Sequence, residues 1–266
     1  MGIKKYTAYI GIEFKHSISH RSLLIAKIVA IPLSIFVMVA IWNAIYLNND
    51  AEIIGYFTKE QMVNYSILSV IGSYLLANRS DMELGRIIRN GKLTNELIRP
   101  NQYYLVQFFK SLGFRTADFV VAAPISIALG VIFFGFKQYD YVFTLMSVLS
   151  FSLSFLLIFL FNMIFGLIAF KVIDYDNFGW LKNTLVSFFS GGIISLSVFP
   201  LFFQNTMMFL PFQHMLYTPI RIFVGGYVLE QCILFIFVQA IWVVSMFFIM
   251  KFGWKMAVKN FSGVGT

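Results

Sequence analysis

Five long apolar runs restrict this chain to a helical membrane fold. Each run is nearly free of central charge and is long enough to cross a bilayer core, which needs roughly 20 helical residues. The runs are 23–45, 112–136, 142–170, 181–203 and 228–250. The chain as a whole is 59% hydrophobic and 12% charged, which excludes an ordinary soluble domain. The sequence therefore predicts an all-α integral membrane protein.

A sixth run, 61–76, is shorter and more polar than the others. It carries Asn64, Ser66, Ser69 and Ser73, a composition that favours a helix packed among helices over one that faces lipid. The prediction is therefore six transmembrane helices in a single domain, 1–266. The run 142–170 exceeds a bilayer thickness at about 1.5 Å per residue, so we expect it to tilt or to project into the cytoplasm.

Basic residues predict the orientation of these spans. With six spans, both termini lie on the same side of the membrane. Of the 20 lysines and arginines, all but Lys59, Lys137 and Arg221 fall on that side. The positive-inside rule therefore predicts that both termini are cytoplasmic. The net charge of +8 then reflects membrane topology and not a nucleic-acid partner.

The polar segments before and between the spans carry helical patterns. Within 1–21, Ile3, Tyr6, Ile10 and Phe14 recur at three- and four-residue steps, which favours an interfacial helix over a basic leader that only sets topology. The segment 78–111 is the longest polar part of the chain.

In this second segment, Ser80 and Glu83 have the spacing of a capping box, and the dipeptide Asn90-Gly91 predicts a helix stop. Between them lies an apolar stripe of Leu84, Ile87 and Ile88. A further helical turn is expected before Pro100. The alternative is a solvated basic loop against lipid headgroups. An apolar stripe needs a surface to bury against, so a protein partner is the preferred interpretation.

Glycine and proline interrupt the run 181–203 and the segment that follows it. The breaks lie at 190–192 and Pro200 within the run and at Pro211 after it. Backbone outside a helix is tolerated at membrane depth only when protein surrounds it or when it lines a cavity, so this segment is predicted to border a pathway. Phe199, Phe203 and other aromatic residues near the breaks fit either an apolar collar or an interfacial aromatic belt.

Two other classes of membrane protein can be tested on the same residues. An intramembrane protease is disfavoured because His16, His20 and His214 lie outside the predicted spans. An ion-coupled secondary transporter would need buried carboxylates, and Asp118 and Glu230 are the plausible ones. Asp118 has Arg115 three positions earlier, which favours a structural ion pair. Glu230 is open to either role.

Three segments together resemble the ABC-2-type permeases, the membrane subunits of ATP-driven exporters. The segment 87–100, IIRNGKLTNELIRP, is similar to the region after the second span of that family. The segment 190–200, followed by 210–212, Pro219 and Gly225, resembles its fifth span and re-entrant region. Trp254 and the glycine-containing tail resemble its C-terminal end. As a set, the similarity covers nearly the whole chain.

The resemblance implies an N-terminal interfacial helix within 1–21, six spans, a cytoplasmic coupling helix within 78–111 and re-entrant segments within 204–227. The expected contacts that couple the chain to an ATPase are Glu83, Leu84, Ile87, Ile88, Arg89, Glu96 and Arg99. The expected translocation path or gate contains Ser190, Gly191, Phe199, Pro200, Phe203, Pro211, Phe212 and Glu230.

The implied function is a permease of the bacterial plasma membrane that exports an amphiphilic or apolar cargo. The alternative is an ion-coupled secondary transporter, or another polytopic protein without an ATPase partner. The expected partners are two cytoplasmic ABC ATPase subunits, a second permease and membrane lipid. ATP and Mg²⁺ are expected on the ATPase and no cofactor on this chain, because Gly91-Lys92-Leu93 lacks the glycine spacing and hydroxyl of a Walker A motif. The chain itself is not expected to be an enzyme.

Overall fold

The computed structural model of the protein describes residues 4–48, 52–99, 102–134, 140–172, 174–259 and 261. Its α-helices are α1 (Lys4–Ser19), α2 (Arg21–Leu47), α3 (Lys59–Leu76), α4 (Ser80–Arg89), α5 (Leu93–Ile98), α6 (Tyr103–Phe134), α7 (Tyr141–Gly166), α8 (Tyr175–Phe189), α9 (Leu201–Met208), α10 (Tyr217–Phe223) and α11 (Leu229–Lys259). Short 3-10 helices occupy Leu167–Phe170, Leu196–Val198 and Gln213–Met215. The predicted helical membrane fold is confirmed.

One small β-hairpin departs from the all-α prediction. Strands β1 (Ile53–Ile54) and β2 (Phe57–Thr58) pair antiparallel with Ile53 opposite Thr58. The turn between them places Gly55 and Tyr56 at φ 55° and 69°, as a type I′ turn requires. A Cβ atom at Gly55 would lie 2.5 Å from the Ser197 carbonyl oxygen, so the hairpin packs directly against the 3-10 helix at Leu196–Val198.

Four helical segments in the described part of the chain are long and apolar enough to cross a membrane. They are Arg21–Leu47, Tyr103–Ile132, Tyr141–Phe170 and Leu229–Lys259. Helix α3 has 18 residues, but Lys59, Glu60 and Gln61 occupy its first turn. Helix α8 has 15 residues and is about 22 Å long. The roles of α3 and α8 as the second and fifth spans therefore stay predictions.

The predicted bounds of the fifth span, 181–203, are wrong for the helix, because α8 begins at Tyr175 and ends at Phe189. Gly191 adopts φ 81°, a left-handed conformation in which only glycine is unstrained. Its N–H donates to the Phe188 carbonyl at 3.2 Å, and the N–H of Gly192 donates to the Ser187 carbonyl at 2.9 Å. This is a Schellman motif, which terminates a helix. The apolar run in the sequence therefore extends past the end of the helix.

Helix α3 lies at the centre of the fold. Residues 62–69 are all buried, and α2, α6, α7 and α10 pack around them. The Ser66 hydroxyl donates to the Met62 carbonyl at 2.9 Å, which satisfies a polar group within the helix itself. The prediction that this segment forms a helix packed among helices is confirmed.

Helix α1 packs along α6 through the stripe read from the sequence. The Tyr6 and Phe109 rings stack with centroids 5.5 Å apart, and a side chain at Gly113 would overlap the Ile10 carbonyl. Tyr6, Ile10 and Phe14 are half-buried, whereas Ile3 lies outside the described residues. The predicted helix is therefore confirmed, while its position at the membrane interface stays a prediction.

Candidate functional site

Different hydrogen-bond patterns mark the start and the end of helix α4. At its start, the Asn78 side-chain oxygen accepts the Ser80 N–H at 2.8 Å, and Ser80 is already helical. The predicted capping box of Ser80 and Glu83 is therefore wrong, because Ser80 does not occupy the N-cap position. At its end, Gly91 adopts φ 67° and the Lys92 N–H donates to the Ile87 carbonyl at 3.0 Å. The predicted helix stop is confirmed as a Schellman motif.

The apolar stripe of α4 is buried inside this chain. Leu84 is fully buried, and Ile87 and Ile88 are half-buried against the hydrophobic core. The inference that this stripe needs an external protein surface is therefore wrong. The polar face of the helix stays accessible, with Glu83 and Arg86 side chains 42% and 55% exposed.

A buried polar network joins α4 to α7 and α8. Lys182 Nζ of α8 lies 2.6 Å from the Asp81 Oδ2 of α4, and the two side chains are 3% and 0% exposed. The Tyr175 hydroxyl donates to the same oxygen at 3.0 Å. Lys182 also donates to the Asn162 side-chain oxygen on α7, and Asn162 Nδ2 donates to the Asn78 carbonyl at 3.0 Å. A desolvated pair with added hydrogen bonds fixes the geometry of these three helices.

Close packing and a second ion pair reinforce the contact between α4 and α8. A Cβ atom at Gly85 would lie 2.9 Å from the Tyr175 Cβ, so only glycine lets the two helices approach this closely. At the other end of α4, Arg89 Nη2 lies 3.0 Å from the Asp176 Oδ2. Arg89, which the sequence analysis predicts to contact an ATPase, forms this ion pair with the first turn of α8.

Helix α5 has one buried and one exposed large apolar side chain. Leu93 is fully buried, whereas Ile98 is 76% exposed. Glu96 and Arg99 pair with each other at 2.8 Å, so two of the predicted coupling residues form one local salt bridge. Pro100 lies outside the described residues.

The far end of α8 carries Ser190 and Gly191, both of which are buried. The Ser190 carbonyl accepts the Tyr217 N–H at 3.0 Å, and the Gly191 carbonyl accepts the Tyr65 hydroxyl at 2.6 Å. Protein groups from α3 and α10 therefore satisfy the backbone that leaves the helix. This is the condition under which an irregular turn can exist at membrane depth.

An aromatic cluster forms around the residues that flank this turn. Phe199 and Phe203 stack with centroids 4.6 Å apart, and Phe189 lies 6.0 Å from Phe203 and 5.7 Å from Phe212. Three predicted gate residues therefore meet in one cluster. The neighbouring Phe202 is 83% exposed and points away from it.

The other predicted gate residues occupy separate positions. Pro211 is buried, whereas Pro200 is exposed at the start of α9. Glu230 is exposed on the first turn of α11 and is not part of the aromatic cluster.

Two cavities flank the turn and share Ser73 and Gly192 in their linings. The first, of about 170 Å³, extends towards α4 along Asn78, Arg79 and Asn183. The second, of about 300 Å³, extends between α2 and α3. Its hydroxyl-bearing residues are Ser34, Tyr65, Ser66, Ser69, Ser73, Tyr74 and Ser195.

Sequence reasoning assigned the serines of α3 to helix packing and missed this cavity. Ser66, Ser69 and Ser73 recur at three- and four-residue steps, which places them on one helix face. That period was the signal that could have identified a polar lining.

The carboxylate considered for ion coupling is already paired. Asp118 is buried, and Arg115 Nη1 lies 2.6 Å from its Oδ2, which confirms the predicted pair. Lys27 of α2 binds its other oxygen. With both oxygens engaged by cations, Asp118 does not present a vacant site for a coupling ion.

Comparison with known proteins identifies the family of this chain. The sequence model of the ABC-2 family transporter proteins matches residues 28–265, which include α3 to α11 and most of α2. Nothing among the curated proteins or the solved structures matches the chain. The family match includes α4, α8 and the turn at Gly191, which carry the buried polar contacts described above. The chain therefore belongs to the ABC-2 family of transporter proteins.

Proposed function

We propose that this ABC transporter membrane subunit is an exporter that moves an amphiphilic or apolar cargo. Two separate cytoplasmic ATPase subunits would bind ATP and Mg²⁺, and a second permease, identical or similar, would complete the path. In this proposal α3 and α8 are the second and fifth of six spans, and both termini face the cytoplasm of a bacterial cell. The observation that carries the proposal is the buried Asp81–Lys182 pair, which ties α4 to the helix that ends at Gly191.

The proposed coupling route runs along α8. An ATPase docks on the exposed polar face of α4 and on Ile98 of α5. Displacement of α4 reaches α8 through the Asp81–Lys182 pair, because a desolvated, hydrogen-bonded pair resists separation. Helix α8 then carries the movement about 10 Å, as a rigid element, from Lys182 to its end at Phe189, next to the turn at Gly191.

The proposed path follows the two cavities. Hydroxyl groups of α3 give the larger cavity a mildly polar wall. The aromatic cluster of Phe189, Phe199, Phe203 and Phe212 adjoins the turn at Gly191 and lines neither cavity, and in this proposal it closes the path beyond them. A path with one polar wall and an apolar closure suits an amphiphilic cargo. A similar subunit packed alongside would provide the opposite wall.

Charge reversal on the accessible face of α4 tests the docking site. We expect Arg86→Glu to reduce the ATPase activity that co-purifies with the permease by about tenfold, because one complementary charge pair with the ATPase becomes repulsive. Ile98→Ala should act in the same direction by removing an exposed apolar contact. The control is Lys255→Glu on α11, an exposed charge outside the proposed surface. Unchanged co-purification in both variants would place the docking site elsewhere.

Cysteine labelling tests the proposed orientation. Cys232 is the only cysteine of the chain, so Cys232→Ser gives a background without a native thiol. In that background, Asn95→Cys on α5 should react with an impermeant reagent only from the inside. Glu52→Cys, before the hairpin, should react only from the outside. Asn49, a second outer position, lies outside the described residues. Labelling of Asn95→Cys in intact cells would overturn the proposed topology.

A further inference from the structure

An elongated apolar groove of about 690 Å³ lies between α6 and α7. Its floor is α3, on which both helices pack. Near the start of α6 the two walls meet, where Phe108 contacts Phe155 and Phe159 with centroids 5.9 and 5.2 Å apart. Beyond this contact the groove is lined mainly by Ile71, Phe119, Ala123, Ile127, Val148 and Phe151.

A cluster with excess positive charge borders this apolar groove. Arg115 is one of its lining residues. Asp118 pairs with both Arg115 and Lys27, so two cations share one carboxylate and the cluster carries a net charge of +1. The Arg115 and Lys27 side chains are only 12% and 18% exposed. A largely desolvated excess charge is costly, and an anion placed beside it would offset that cost.

The position of Arg115 along α6 fits a lipid that enters from one leaflet. Arg115 lies three residues after the start of the sequence-predicted span 112–136, and α1 packs along α6 beside it, with Ile10 against Gly113. The predicted topology puts this end of the span at the cytoplasmic membrane surface. From Arg115 to Ile127 the groove extends about 18 Å along α6. One leaflet of the hydrocarbon core is about 15 Å thick. A headgroup at Arg115 therefore leaves room for one acyl chain along the groove.

We propose that the groove between α6 and α7 binds an anionic phospholipid from the leaflet at the Arg115 end of the groove. The phosphate pairs with Arg115, and one acyl chain lies between Phe119 and Val148. The depth of the headgroup rests on the predicted topology, whereas the charge cluster and the groove do not depend on the proposed coupling to an ATPase.

Native mass spectrometry of the delipidated protein tests this site with phosphatidylglycerol and phosphatidylcholine of identical acyl chains. The wild type should bind phosphatidylglycerol roughly tenfold more tightly than phosphatidylcholine, as expected for one partly desolvated charge pair. Arg115→Gln keeps the Lys27–Asp118 pair and should abolish this preference. Ala123→Phe fills the groove and should weaken the binding of both lipids.

Controls separate this site from general surface effects. Lys251→Gln removes an exposed charge on α11, and Val131→Phe enlarges an exposed position of α6 outside the groove. Both should bind lipid like the wild type. If Ala123→Phe does not fold, Thr116→Trp fills the groove from an exposed position.

Three results would overturn the proposal. The first is equal affinity of the wild type for the two lipids. The second is a phosphatidylglycerol preference that survives in Arg115→Gln. The third is a groove-filling variant that keeps its lipid but loses a dimeric mass, which would show that a second copy of the chain occupies the groove.

Discussion

Lys182→Met is expected to lower the free energy of unfolding by about 3–5 kcal/mol and to uncouple ATP hydrolysis from export. The substitution leaves the Asp81 carboxylate fully buried without its cation. The Tyr175 hydroxyl still donates to Asp81, but one neutral hydrogen bond does not offset the desolvation of a carboxylate. Denaturant unfolding of the purified protein in detergent measures the loss.

Two matched variants show whether the effect comes from the buried pair. Arg86→Met breaks the exposed Arg86–Glu83 pair and should cost less than about 1 kcal/mol. The double variant Asp81→Leu with Lys182→Met removes both charges and should recover much of the stability, because apolar replacements of a buried pair are often neutral or stabilising. If Lys182→Met has the same free energy of unfolding as the wild type, the pair does not constrain α4 and α8. The proposed coupling route through the pair would then be wrong.

The same double variant separates stability from coupling. It keeps α4 packed on α8 through Gly85 and Arg89, but it lacks the directional bond between Asp81 and Lys182. We expect it to fold and to bind the ATPase while exporting less cargo per ATP hydrolysed. Normal export would indicate that shape packing alone transmits the displacement.

Local patterns predicted the parts of this fold that depend on local physics. The long helices α2, α6, α7 and α11 follow from apolar length, because a bilayer fixes the number of helical residues that a span needs. The stop after α4 follows from Asn90-Gly91, because glycine adopts the left-handed conformation of that position without strain.

The partner of a buried face could not be read from the sequence. The stripe of Leu84, Ile87 and Ile88 correctly indicated burial, yet nothing in its spacing distinguishes a surface of this chain from that of an ATPase. The Asp81–Lys182 pair joins residues 101 positions apart. Such a contact depends on how α4 and α8 dock, and no local pattern encodes it.

The fifth apolar run shows how a correct observation can be combined with a wrong boundary. The glycines after Ser190 predict a break, whereas the apolar composition continues across them to residue 203. The structure shows that Gly191 ends the helix and that its carbonyl binds Tyr65 of α3. Local sequence patterns could not predict this hydrogen bond, because Tyr65 lies 126 residues earlier in the chain.

Gly191→Ala is expected to have the second large effect, at about 3 kcal/mol of lost stability. The left-handed conformation at φ 81° costs an alanine roughly 1–2 kcal/mol. The new methyl group would also lie 2.7 Å from the Tyr65 hydroxyl and 3.3 Å from the Tyr217 Cβ. Both neighbours are buried, so the site has little freedom to relax, and overpacking adds to the backbone cost.

Gly225→Ala is the matched control for the backbone cost. Gly225 ends α10 with φ 70°, and a Cβ atom there would have no neighbour within 4 Å. It should therefore lose only the roughly 1–2 kcal/mol of left-handed strain. The difference between the two alanine variants measures the contact with Tyr65 and Tyr217. Equal losses would mean that the turn at Gly191 is loosely packed.

Export by the Gly191→Ala variant then tests whether this turn takes part in transport. Adding Tyr65→Phe removes the crowded hydroxyl and should return part of the stability, although the Gly191 carbonyl loses its 2.6 Å hydrogen bond. At a temperature where both variants are folded, we expect ATPase binding to be retained and export to fall, because α8 ends at this turn and the two cavities adjoin it at Gly192. Wild-type export by a folded Gly191→Ala protein would leave the turn a structural helix stop and place the gate elsewhere.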